Sequence, residues 1–207
     1  MALSFNPKTT AVVSMDFQND ICHPDAQFSQ QVGFAPAIAA SGVIPNTARL
    51  LAAARKAGMP VVHIVVDPTV ASQFQNPSRG QFLQMLGDPN ADPILVPGSW
   101  GAAIHDEVAP LEGEPVIGKW VFSAFASSNL HETLQSLGVT DVMMAGVVTE
   151  FVIDSSCWNA VDLGYNVIIV DDGCCSADVE THKNCVAAMA ARADITTVDE
   201  VVGLLAG

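Results

Sequence analysis

Apolar residues in this chain fall into short, dense runs separated by stretches in which they recur every three or four positions. Thr10–Met15 (TAVVSM), Pro60–Val66 (PVVHIVV), Val116–Gly118, Asp141–Gly146 (DVMMAG), Asn166–Val170 (NVIIV) and Ile195–Val198 are the dense runs. They are short and rich in β-branched residues, so they predict six strands buried on both faces. Helices are predicted over Pro45–Ala57, with Gly58 as its stop and Pro60 beyond, and over Asn129–Leu137, Phe151–Leu163 and Asp178–Ala193. A short terminal helix is predicted over Val201–Leu205. Such strands alternating with helices predict a parallel α/β sheet covered on both sides. Ligands in these sheets sit at the carboxyl ends of the strands, so residues just after a strand are the first candidates for chemistry.

One stretch breaks the rhythm. Residues 69–97 hold several Pro, Gly, Asn and Gln and show no firm period. A long irregular segment in a compact domain is often a lid or substrate loop. Phe74, Phe82, Met85 and, a little later, Trp100 either line a pocket or form the small apolar cluster of a surface loop.

Composition narrows the setting. The length of 207 residues suits one domain, residues 1–207. Half of the residues are hydrophobic and 14% are charged, so much of the chain must be buried, and a homo-oligomer with an apolar interface is expected. No apolar run reaches bilayer length, and the first residues lack the pattern of a signal peptide, so a cytoplasmic location is expected. The net charge of −14 makes nucleic acid and anionic membranes poor partners and leaves a small molecule as the expected ligand. Five cysteines, Cys22, Cys157, Cys174, Cys175 and Cys185, contain no CxxC pair, which argues against structural zinc and a disulfide frame.

Three segments pass the strand-end filter. Asp16 follows the first strand in DFQND, where a carboxylate either meets a ligand or caps a turn. Lys119 follows the third, in GKWVFSAF. It is one of eight Lys and Arg, and its apolar neighbours predict a partly buried cation that needs an anion; Asp16 is the natural partner. The third segment, GVVTEFVIDSS from Gly146 to Ser156, reads as strand, tight turn and helix. N–H groups at such a helix start can hold an anion.

Together with GSWGAAIHDEVAP from Gly98 to Pro110, these segments resemble the isochorismatase-like cysteine hydrolases, which include nicotinamidases and N-carbamoylsarcosine amidase. The resemblance covers nearly the whole chain and implies a six-stranded parallel sheet in doubly wound order with helices on both faces. It implies an Asp–Lys–Cys triad in which the thiol attacks a carbonyl carbon. Asp16 matches the base and Lys119 its support. A cis peptide is implied before Val148, with the N–H groups of Val148 and Val152 forming the oxyanion hole. Gln18, Phe74, Phe82, Trp100 and Phe125 are candidates for the substrate pocket.

The nucleophile's position is occupied by Val152. Natural or engineered, valine has no lone pair and forms no thioester. Cys157 lies roughly 140° further around the helix, at about 100° per residue, and does not replace it. Cys22 follows the Asp16 loop and reads as a packed thiol. The nicotinamidase branch holds a metal through Asp-x-His after the second strand. Here Asp67 is followed by Pro68 and Thr69, and His63, inside the strand, reads as a core histidine; His23, His105, His131 and His182 show no ligand spacing. No catalytic metal and no cofactor is expected. Three readings remain: an amide (C–N) hydrolase scaffold without its sulfur, a cysteine-independent vinyl-ether hydrolase with Asp16 as general acid, and a non-catalytic binding protein. The second needs cations for an acidic substrate, and Arg79 and Lys119 are the best available.

Overall fold

The computed structural model describes residues 3–73 and 94–206. Phe74, Arg79, Phe82 and Met85, singled out above, lie outside the described residues. The six predicted strands form one parallel sheet: β1 (Thr10–Met15), β2 (Val61–Val66), β3 (Val116–Lys119), β4 (Asp141–Val147), β5 (Asn166–Cys175) and β6 (Asp194–Thr196). Their order is β3-β2-β1-β4-β5-β6, doubly wound, with β1 and β4 at the centre. All six residues of β1 are buried, as a strand covered on both faces requires.

Helices cover the two faces. Residues 19–41, to which the pattern assigns no element, hold α1 (Asn19–Cys22), α2 (Gln27–Gln31) and α3 (Phe34–Ser41). These are too short for a helical period to show. α4 (Val43–Lys56) packs Leu50, Leu51 and Ala54 on one face of the sheet, together with Val198 and Val201 of the last helix, α8 (Val198–Ala206). The other face is covered by α5 (Leu130–Ser136), α6 (Asp154–Asp162) and α7 (Val179–Met189), through Leu130, Leu134, Cys157, Ala160 and Met189. No single helix among the described residues is long and apolar enough to cross a membrane.

Two boundaries differ from the sequence reading in ways that shape the site. β5 runs five residues past Val170, because a register shift between Met144 and Gly146 lets Cys174 and Cys175 pair with Gly146 and Val147. The helix expected from Phe151 is preceded by a wide π-type turn, Thr149–Ile153, and regular winding begins at Asp154.

Candidate active site

The chain leaves β1 through Asp16, whose φ of 61° is left-handed. Aspartate tolerates this region better than most residues, and the reversal takes its side chain out of the strand's alternation. Lys119 ends β3, two strands away. Its Nζ lies 2.9 Å from Asp16 Oδ2 and donates to the Val121 carbonyl at 3.0 Å. Both residues are buried. Burial pushes the Asp16 carboxyl above its usual range, against the charge and hydrogen bond of Lys119, which pull it down. Asp16 Oδ1 is buried and has no partner among the described residues. A carboxylate with one oxygen neutralised and the other unpaired is chemically unfinished, and a ligand or water atom completes it.

Asp16 opens on a small cavity of about 30 Å³. Phe28, Phe34, Phe122 and Phe151 line it together with Val148 and Val152, and Asp16 is the only ionisable group among the lining residues described. Phe122 and Phe151 stack with centroids 4.9 Å apart and planes at 17°.

The far wall is the β4–α6 turn. The Val147–Val148 peptide is cis. Among the described residues the Val148 N–H has no acceptor, whereas the N–H groups of Phe151 and Val152 both donate to the Val148 carbonyl, each at 3.2 Å. The Val152 N–H, which the resemblance assigns to the oxyanion hole with that of Val148, is thus turned toward a carbonyl by the wide first turn. At that length the bond is weak and leaves room for a second acceptor.

The fold has a known counterpart. The sequence profile of the isochorismatase domain matches residues 10–200. This chain belongs to the isochorismatase family. Its relatives in that family include the ureidoacrylate amidohydrolase RutB of Methylobacterium radiotolerans, 30% identical over 188 residues, which span 86% of this chain and 72% of that one. A protein of Arabidopsis thaliana described as a "probable inactive nicotinamidase" is 30% identical over 182 residues, 84% of this chain and 85% of its own. Among solved structures, an isochorismatase family protein from Desulfovibrio vulgaris matches with a TM-score of 0.80 at 25% identity, covering 97% of this chain and all of that one.

Within this isochorismatase fold, three of the expected pocket residues stand elsewhere. Gln18 is buried, but its amide is spent on the frame: Oε1 accepts from Val66 N at 2.7 Å, and Nε2 donates to the carbonyls of Val66 and Ala102, both at 3.0 Å. Trp100 is half-exposed and meets His23 edge-on. Phe125 packs into the opposite core beside Tyr165. The DFQND motif thus works mainly as a clasp, since Asn19 and Asp20 also bind the backbone of Trp100, Gly101 and Leu95. Cys22 is packed beneath the site, with Sγ 3.6 Å from the Asp16 carbonyl; burial, then Cys175 and Asp16, push its thiol well up. Cys157 is buried in the opposite core.

The four lining phenylalanines were not picked out in sequence. Phe122 follows Lys119 closely and was within reach of the strand-end argument. Phe28 and Phe34 sit on helices too short to show a period. Asp171 follows the predicted end of β5 and meets the same criterion as Asp16, although the strand continues through it.

Proposed function

We propose that the cavity binds a small, largely apolar molecule carrying an amide or related C–N group, and that Asp16 exchanges a proton with it while Lys119 supports the carboxylate. Val152 stands where the family resemblance places the nucleophile, so the chain carries the hydrolase scaffold without thioester chemistry. The observation that carries this reading is the buried Asp16–Lys119 pair with Oδ1 unpartnered at an otherwise apolar cavity. The relative acting on ureidoacrylate supports an amide-type ligand. The Val148 N–H, without an acceptor among the described residues, is the natural partner for the ligand's carbonyl oxygen.

A second reading, cysteine-independent acid catalysis by Asp16, is favoured by one observation: burial outweighs Lys119 and holds the carboxyl toward its proton-bearing form. It needs an acidic substrate's counter-charge, and among the described lining residues no cation faces the cavity. Non-catalytic binding is the third reading. We also propose that the chain assembles with copies of itself, since Trp158 and Val179 leave large apolar surface exposed. Light scattering at micromolar concentration checks this.

The test of the main reading is a thermal-shift and isothermal-titration panel of small amides, ureido compounds and vinyl ethers. Neutral amides should stabilise the protein, and an Asp16→Asn/Lys119→Met double variant, which removes both charges together, should lose that effect. Amide binding that survives in the double variant sinks the role given to Asp16.

A further inference from the structure

The turn bearing Val148 and Val152 is also held by side chains that do not line the cavity. Thr149 Oγ1 lies 2.8 Å from His182 Nδ1, and His182 Nε2 lies 2.9 Å from Asp171 Oδ1. The three members come from the turn, α7 and β5. Thr149 is fully buried, while the side chains of His182 and Asp171 are 17% and 43% exposed. A carboxylate only accepts, so Nε2 carries a hydrogen; in the neutral ring Nδ1 is then an acceptor, and the Thr149 hydroxyl donates to it.

Hydroxyl, imidazole and carboxylate in this order are the parts of a hydrolytic triad. Thr149, however, is sealed from solvent and does not line the cavity, so no substrate carbonyl reaches its oxygen. The chain can orient but not attack. The next residue is tied as well: Ser176, just past β5, donates to the Glu150 carboxylate. The turn needs such ties, because the N–H groups of Phe151 and Val152 share one carbonyl at 3.2 Å, at the weak end of hydrogen bonding.

We infer that His182, backed by Asp171, is a positioning residue that clamps Thr149 and so sets the geometry of the 148–152 turn. Its relevance to a ligand rests on the reading of that turn given under the proposed function. The clamp itself does not.

Amide hydrogen exchange on the full chain, with no ligand present, tests it. In His182→Ala the amides of Phe151 and Val152 should exchange about tenfold faster, the effect of losing one buried hydrogen bond, while those of Val12 and Val13 in β1 keep their rates. His182→Asn, whose side-chain oxygen can take the place of Nδ1, should restore protection to within about twofold. Thr149→Val keeps the shape, removes only the hydroxyl, and should repeat the selective loosening; it decides the matter if His182→Ala does not fold. Uniform acceleration across β1 and the turn, or none at the turn in either variant, overturns the inference. Failure of the proposed function would be read separately, as missing ligand binding.

Discussion

Lys119 Nζ sits 2.9 Å from Asp16 Oδ2 although the two residues end strands separated by β2, and neither is exposed to solvent. Each charge is tolerable only because of the other. Lys119→Met should therefore cost about 3–5 kcal/mol in urea unfolding, the cost of leaving a buried carboxylate unpaired. The Asp16→Asn/Lys119→Met double variant should lose clearly less than the sum of the single changes. Additive losses would mean that the pair is not coupled.

Val152→Cys is expected to place a thiol beside Asp16, since the valine side chain already lines the same cavity. The variant should react at residue 152 with a thiol-reactive amide or aldehyde analogue, seen by intact mass and peptide mapping. It should also release ammonia or amine from at least one small amide, while the chain with valine forms no such adduct there. Labelling only at Cys22 or another cysteine, with no turnover, would sink the idea that the scaffold lacks only its sulfur.

Acid should destabilise the protein through a second, partly buried network, at the amino end of the sheet. Arg55 donates twice to Glu114, and His63 Nε2 lies 3.0 Å from the same carboxylate. Burial alone would raise Glu114, but the hydrogen bonds from Arg55, Leu111 and His63 bring it down to about 2. Its contribution is present above the unfolded value of 4.5 and is lost as pH falls toward about 2. Burial lowers His63 below its ordinary 6.5, against Glu114, so the unfolded chain takes up that proton first. Stability should thus begin to fall below about pH 6.5 and fall more steeply below about 4.5. Denaturant melts at stepped pH check this, and Glu114→Gln should flatten the lower limb.

Gln18→Leu should cost on the order of 3 kcal/mol, because it strands the Val66 N–H and carbonyl in the interior. Ligand affinity, measured by titration calorimetry, should change little, since Gln18 does not line the cavity. A large loss of affinity with unchanged stability would return Gln18 to the pocket.

The sequence alone determined the sheet and one end of the site. Six β-branched runs between helical stretches are local signals, written within five or ten residues, and they specify a parallel sheet wherever its strands come to lie. Asp16 and Lys119 were legible for the same reason: each directly follows such a run, and parallel strands bring their carboxyl ends together. The five added residues of β5 were not legible, because they depend on a register shift between strands, and the π-type turn at Thr149–Ile153 leaves no local period to read. Gln18, Trp100 and Phe125 carried pocket-like chemistry in sequence, but their directions are set by contacts with residues tens of positions away. Only the tertiary structure decided that Phe28 and Phe34, rather than these, wall the cavity, and that Thr149, His182 and Asp171 meet outside its lining. Packing around a point is a property of distant segments brought together, and no stretch of the chain by itself encodes which of its side chains will face that point.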